Sequence, residues 1–530
     1  MSTSEKSGRS VGQRMGLAAI ILSVSILLSR ILGFLRDAVI ANQHGASAMT
    51  DAYYAAFTLP DLMNYFLAGG TLSITFIPLF SSYLARDDEE GGWRLFSTVA
   101  TTMGLALVGV SVVGIVLAPG LVALLNPGFT DAEQLQMAVT MTRIVIPAQI
   151  AFYLGGLLQA TLFVREIFWP SAIAPLIYNA CIILGGLLLA PWFGIQGFSI
   201  GVVVGALLGP LALPLWASRR VVRYQFRFAP RDADFKAFLW LTLPLMVGVS
   251  LVTVDEWLLK YFGSLHEKGA ITWLNHSRKL MLVLFAVIGQ AAGQAALPFL
   301  SRLFHEGKEA EMGQMLSQSL QRVAFLSAIG AAGLIAIAHP LVYLVFRHGE
   351  FSDADADMTA NLLVFFSFGL IAWCAQTVMV RGFYARQDTL TPMVIGTLVA
   401  LVALPIYYGL NATFSLVGLA AATSLGISIN VAVTAVVYRM RGRTLPLGPI
   451  GAGLGRGLIF AVSCGTAAWG LGQWLDAPLA AWGLPGRMVM LVAMGLVFGL
   501  VMMVLAALMR PPELDFIISR LRARLRRKRA

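Results

Sequence analysis

Residues 488–509 read MVMLVAMGLVFGLVMMVLAALM, 22 residues without a charge, bounded by Arg487 and Arg510. At 1.5 Å per residue such a helix is about 33 Å long, enough to cross the hydrocarbon of a bilayer. Ser97–Pro119 and Ile173–Pro191 are uncharged in the same way. Across the 530 residues 58% are hydrophobic, 12% are charged, and the mean hydropathy is +0.77. Soluble domains carry about 25% charge, so the composition is that of a polytopic membrane protein. The runs lack the ten-residue alternation of a barrel, and the 52 Gly and 22 Pro suit packed, bent helices. The expected fold class is all-α.

Dividing the chain at charged or Pro/Gly/Asn-rich breaks gives fourteen expected spans: 16–42, 50–84, 95–122, 134–163, 170–190, 194–218, 237–262, 271–301, 312–346, 358–380, 391–410, 414–438, 452–473 and 487–509. Little sequence remains for a soluble domain. The expected organisation is a cytoplasmic tail over 1–15, an N-lobe of six spans over 16–218 and a basic linker over 219–236. A C-lobe of six spans over 237–440 follows, then two further spans over 441–510 and a basic tail over 511–530.

With the N-terminus inside, the cytoplasmic segments hold 27 of the 38 Lys and Arg, and the outer segments hold only Lys268, Arg347 and Arg487. That asymmetry places both termini in the cytoplasm. In the tail, Leu514, Ile517, Ile518, Leu521 and Leu525 recur at helical spacing beside cationic residues, which points to anionic lipid of the inner leaflet as its partner. No folded nucleic-acid module accompanies this charge, so nucleic acid is not an expected partner. Cys181, Cys374 and Cys464 lie apart in apolar runs and read as packing residues. There is no Walker loop, HExxH or GxSxG, and the six histidines do not cluster, so no cofactor, metal or catalytic residue is expected.

Two pairs of short stretches recur at one offset. Ile77-Pro78-Leu79-Phe80-Ser81 is echoed by Leu297-Pro298-Phe299-Leu300-Ser301, and Phe163-Val164-Arg165-Glu166 by Tyr384-Ala385-Arg386-Gln387, at 220 and 221 residues. A repeat of six spans keeps its orientation, so the two halves are expected to flank a central cavity about an axis along the membrane normal.

Charges interrupt this apolar pattern chiefly at the start of each half. The first span reads Ser29-Arg30-Ile31-Leu32-Gly33-Phe34-Leu35-Arg36-Asp37. Each charge there costs about 2.5–3.5 kcal/mol on insertion scales, so it should face a cavity or another charge. Arg30 and Asp37 are seven apart and share a helical face, with Arg36 turned by about 120°, so one arginine can pair along the helix while the other points elsewhere; the alternative is Arg36 reaching the outer interface with Asp37 as its partner. The second span carries Asp51, Pro60, Asn64 and the pair Gly69-Gly70, and its Pro and Gly predict a bent, movable gate. The seventh span holds Asp255, Glu256 and Lys260, and the eighth Arg278-Lys279. Glu256 and Lys260 form an i,i+4 pair, which leaves Asp255 to seek Arg278 or Lys279. A cationic cavity so lined suits a large anionic substrate such as a lipid-linked diphosphate.

These residues resemble the MurJ/MviN family of lipid II flippases, within the multidrug/oligosaccharidyl-lipid/polysaccharide exporter superfamily. The most specific stretches are Ser29 to Ala38, Thr50-Asp51-Ala52-Tyr53-Tyr54-Ala55-Ala56-Phe57 with Leu59-Pro60, and Gly382-Phe383-Tyr384-Ala385-Arg386-Gln387-Asp388 with Thr391-Pro392. Pro170, Pro175 and Asn179 resemble the family's fifth span. The resemblance implies a bacterial inner-membrane transporter, not an enzyme, that moves undecaprenyl-diphosphate-linked disaccharide-pentapeptide to the outer leaflet by alternating access. It implies two lobes around a cationic cavity, two C-terminal spans forming a groove for the undecaprenyl tail, and cell-wall synthesis enzymes as candidate partners. Arg30, Arg36 and Asp37 match family residues of the diphosphate region. Ser29, Gly33, Asp51, Asn64, Asp255, Arg278 and Lys279 complete the expected substrate-binding set, and Pro60, Gly69 and Gly70 the gate.

The chain departs from the family's pattern where Asn64, Tyr65 and Gly69 replace two arginines and a glutamate, and where Arg278-Lys279 replaces an Asp-Arg pair. No acid occurs in the eleventh span, so a sodium site is not carried over. The competing readings are an exporter of another polyprenyl-linked saccharide, a multidrug antiporter of the same superfamily, and a nontransporting scaffold.

Overall fold

The computed structural model describes residues 11–67, 75–247 and 251–515. In hydrocarbon every backbone N–H and C=O must be satisfied within the chain, and the described residues answer with helix and turn and no strand. Each of the fourteen expected segments falls on helix over its described part, interrupted by single turns or short breaks. Among the described residues nine helices are long and apolar enough to cross a membrane, and Asp353–Phe368 with Leu370–Tyr384, bent by 42°, forms a tenth candidate. The eleventh and twelfth expected spans run together as Leu390–Met440, broken only where Ser415 takes φ 56°. Gly69 and Gly70, and the tail beyond Asp515, lie outside the described residues.

Contacts divide the chain into two compact units, Met1–Gly248 and Val249–Ala530. The first therefore runs past the expected lobe boundary at residue 218. The basic stretch expected as a linker lies along Glu89–Leu125, where the Gln225 amide donates to Ser97 Oγ at 3.1 Å. Ala233–Val247, the opening of the seventh span, also packs in this unit, with Thr242 Oγ1 donating to Thr75 Oγ1 at 3.2 Å. Phe76, Phe80, Trp93 and Phe96 form its buried aromatic core. Leu251–Gly263 belongs to the second unit, against Leu390–Met440.

The internal repeat is visible in the backbone. Positive φ occurs at Asp87 and Gly307, at Glu166 and Gln387, and at Gly194 and Ser415, pairs separated by 220, 221 and 221 residues. Gly194 (φ 53°, ψ −136°) and Ser415 (φ 56°, ψ −139°) turn the chain alike after the fifth and eleventh spans. The same offset relates the ion pair Arg165–Glu89 to Arg386–Glu309. Beside the latter, Asp388 accepts from Arg441 at 2.9 Å and Arg443 at 3.0 Å. Burial alone would raise the Asp388 carboxyl, yet Thr391 and Arg443 hold it below the usual carboxylate range.

Close helix packing inside each unit runs through small residues, as expected where lipid gives no hydrophobic drive between helices. Gly197, Gly201, Gly205 and Gly209 recur every fourth residue against the backbone of Trp169–Phe193. A Cβ at Gly201 would meet the Cys181 carbonyl oxygen at 2.6 Å. In the second unit Gly453 and Gly457 bring Leu447–Ala480 against Gln321 and Phe325 of Glu309–Ala336, whereas Gly451 has open space. Past the last long helix Glu513, only 4% exposed, accepts from Arg456 at 2.5 and 3.2 Å and from Gln321 at 2.7 Å. Burial opposes its ionisation, but these donors keep its carboxyl below the usual range, and the chain end is pinned to both helices.

Gly201→Ala, which drives a methyl into backbone, should lower stability by about 1–3 kcal/mol in a thermal-melting series on the detergent-solubilised protein. Gly495→Ala, with nothing within 4 Å of its Cβ, should leave the melting temperature unchanged.

Candidate functional site

Each unit carries a cluster of charges on the helices expected to line the site. In the first, Val11–His44 carries Ser29, Arg30, Gly33, Arg36 and Asp37. Arg36 Nε and Nη2 donate to Asp37 Oδ1 at 3.1 and 3.0 Å, and Nη1 donates to Asn179 Oδ1 at 3.3 Å. Asn179 Nδ2 in turn donates to Ser29 Oγ at 3.4 Å and to the Pro175 carbonyl at 2.9 Å. Asn179 Nδ2 thus bonds back to the carbonyl four residues earlier on its own helix, which fixes the amide with its oxygen towards Arg36. Gly33 faces the same amide, its Cβ position lying 3.9 Å from Asn179 Oδ1. Asp37 is 2% exposed, and the Arg36 guanidinium lies against it.

The expected sharing of a face by Arg30 and Asp37 does not decide the pairing. Arg36 closes on Asp37 instead, because a flexible guanidinium stem spans the 120° turn to an adjacent carboxylate. Arg30 is half-buried on the same helix.

The second span is broken rather than smoothly bent. Ala48–Ala55 opens with a capping box at Ser47 and Thr50 and buries Asp51, and the chain turns at Ala56 and Phe57 before Thr58–Leu67. Pro60 lies in the first turn of that second helix, where its missing N–H costs no intrahelical bond. The bend expected at Pro60 thus falls just ahead of it. Asn64 is half-buried on Thr58–Leu67.

In the second unit Asp255, also 2% exposed, is held from two sides. Arg278 Nε donates to its Oδ2 at 3.1 Å, and the Tyr407 hydroxyl donates to Oδ1. Tyr407 also meets Thr423 Oγ1 at 2.9 Å. Arg278 Nη1 reaches Glu256 Oε2 at 3.5 Å, and Lys260 Nζ meets Glu256 Oε1 at 3.5 Å. The expected pairing of Asp255 with one cation of the Arg278-Lys279 pair is therefore present, and the cation is Arg278. Arg278 is 8% exposed, with its guanidinium over the Trp373 ring, and the space beside it is about 20 Å³. That is room for about one water, so Arg278 is shut off from a large ligand in this conformation. Lys279 is half-buried.

Tyr407, Thr423 and Trp373 at this cluster, and the part of Asn179 in the first, are not among the contacts expected from the sequence. The available signal was polarity inside apolar runs: a tyrosine hydroxyl or an amide amid hydrocarbon must find a partner.

The sequence profile of a family described as the lipid II flippase MurJ matches residues 40–493. A probable lipid II flippase MurJ of Vibrio cholerae is 28% identical over 439 residues, covering 80% of this chain and 82% of the relative. The lipid II flippase MurJ of Burkholderia cenocepacia is 29% identical over 438 residues, covering 81% and 85%. Among solved structures, a lipid II flippase MurJ in an inward closed conformation superposes with a TM-score of 0.75 at 21% identity, covering 92% of this chain and 98% of that one. An inward-facing multidrug resistance MATE family transporter of the MOP superfamily gives 0.60 at 16% identity, covering 80% and 98%. At these identities the structural likeness speaks for the fold alone.

Asp255→Asn leaves the buried Arg278 with only the more distant, half-exposed Glu256 as an ion partner and should destabilise the protein by about 3 kcal/mol. Glu256→Gln should cost much less, since Glu256 is 46% exposed. Asp255→Asn combined with Arg278→Met should recover much of the loss, which a double-mutant cycle of melting temperatures reads directly.

Proposed function

This chain belongs to the lipid II flippase MurJ family, and from that premise we propose that it transports lipid II across the bacterial inner membrane, with both termini in the cytoplasm. The supporting observation in the molecule itself is the Arg36 guanidinium, held in position by Asp37 and Asn179 within an apolar helix. A diphosphate is the ligand that a planar, always charged fork suits best. Arg30, on the same helix, offers a second cation. Ser29, Gly33, Asp51 and Asn64 complete the polar lining on the first two spans, and Asp255, Arg278 and Lys279 serve the second unit.

In this reading the two clusters act differently. Arg36 pairs with a neighbour that keeps it oriented, so its charge is preorganised for substrate. Arg278 is closed on Asp255, and its release belongs to another stage of an alternating-access cycle. The second span supplies the moving part, since its turn at Ala56 and Phe57 already uncouples two short helices. Pro60 fixes the start of the second helix. An apolar groove of about 420 Å³ lined by Ala328, Ala332, Phe368, Leu458, Val462 and Gly465 supports a seat for part of the polyprenyl tail.

Expression of this chain should restore growth to a cell depleted of its own lipid II flippase. Arg30→Ala and Arg36→Ala should each abolish that rescue while the protein still inserts, and Lys at either position should restore it only in part. Normal rescue by both alanine variants would refute the roles given to these arginines.

A further inference from the structure

The helix ends facing away from the Arg-rich loops enclose a second space. It holds about 320 Å³ and is lined by His339, Tyr343 and Asp357 from one side and by Asp476 and Arg487 from the last two long helices. Ala336 and Trp469 line both this space and the apolar groove, so a polar pocket and an apolar channel meet end to end. That is the shape of a site for an amphiphile.

The charges specify the head. Asp476 pairs with Arg487 Nη1, and the guanidinium lies 5.0 Å from the Tyr343 ring centroid. Arg487 uses only Nη1 for Asp476 and for Met490 Sδ, so among the described residues Nε and Nη2 are available to a phosphate. Asp357 is 55% exposed and has only the Tyr343 hydroxyl at 3.4 Å and His339 Nδ1 at 3.5 Å. The carboxylates lining the pocket outnumber its guanidinium by two to one. A purely anionic head would add to this negative excess, whereas a head bearing a phosphate and an ammonium meets both signs.

We propose that this pocket and groove bind one zwitterionic aminophospholipid of the leaflet opposite the basic loops. Its phosphate lies against Arg487, its ammonium against Asp357 and Asp476, and one acyl chain enters the groove. The acyl chain then competes with a polyprenyl tail for the same space. The site does not depend on the transport reading: selective lipid binding by a chain that fails to rescue growth would leave it intact.

The test is native mass spectrometry of the full-length protein with chain-matched diacyl phosphatidylethanolamine and phosphatidylglycerol. The ethanolamine lipid should bind about tenfold more tightly, and Asp357→Asn with Asp476→Asn should erase that preference. Val462→Trp, on an exposed groove wall, should weaken the diacyl lipid while leaving glycerophosphoethanolamine, which has no chains, unaffected. Equal binding of the two diacyl lipids by the unmodified protein, or a preference that survives the double substitution, would overturn the head-group assignment. Glycerophosphoethanolamine binding as tightly as the diacyl lipid would overturn the groove's part. Should the double variant melt abnormally, Arg487→Gln takes its place: it should weaken the ethanolamine lipid through loss of the phosphate contact, and undiminished binding would overturn that contact.

Discussion

A charge inside hydrocarbon must find a partner, and that constraint organises the polar part of this molecule. Helices absorb the backbone's polarity without help, but a guanidinium or carboxylate can be met only by another side chain, a carbonyl or water. The chain uses these partners in different ways. Asp37 is consumed by Arg36, Asp255 by Arg278 and Tyr407, Glu513 by Arg456, and Arg143 donates from Nε to the Ile115 carbonyl at 3.0 Å. Satisfied pairs of this kind stabilise little compared with apolar packing, while a broken pair is severely costly. Their value lies in holding a charge in place where a substrate or a second conformation can use it.

The repeat shows how one set of local devices serves two halves. A left-handed residue after the fifth and eleventh spans, another before each long helix at Glu89 and Glu309, and an arginine–glutamate tie at each of those helices recur at one offset. At one position the halves differ in a telling way. Gly194 adopts its backbone conformation freely, whereas Ser415 holds nearly the same angles with a side chain, whose Oγ lies 3.3 Å from His266 Nδ1. The geometry is thus kept by a glycine in one half and supported by a side-chain contact in the other.

Much of this was legible in the sequence because it rests on length and periodicity. The positions of the apolar segments, the repeat and the pairing of Asp255 with one of Arg278 and Lys279 follow from runs, offsets and the need to neutralise a buried acid. The motifs around Arg30, Asp51 and Arg386 carried the resemblance to the MurJ family, whose profile matches residues 40–493. What escaped depends on contacts between residues far apart in the chain. Nothing local to Asn179 says that it faces Arg36, or to Tyr407 that it meets Asp255, since the partners are separated by 143 and 152 positions and meet only through the fold. Helical periodicity put Arg30 and Asp37 on one face, but it describes Cβ directions and not the reach of a long side chain, and the alternative pairing of Arg36 with Asp37 is formed. The break at Ala56 and Phe57 was displaced from Pro60 for a related reason: proline marks the start of a helix as readily as a kink within one.

Transport by this chain, as proposed, turns on Arg36 as a preorganised contact for a lipid-linked diphosphate. A structure of this chain in lipid nanodiscs with lipid II bound tests that role most directly. It should place a diphosphate oxygen about 2.7–2.9 Å from the Arg36 guanidinium, with Asn179 still beside it. A diphosphate lodged elsewhere, with Arg36 engaged only by Asp37 and Asn179, would contradict it.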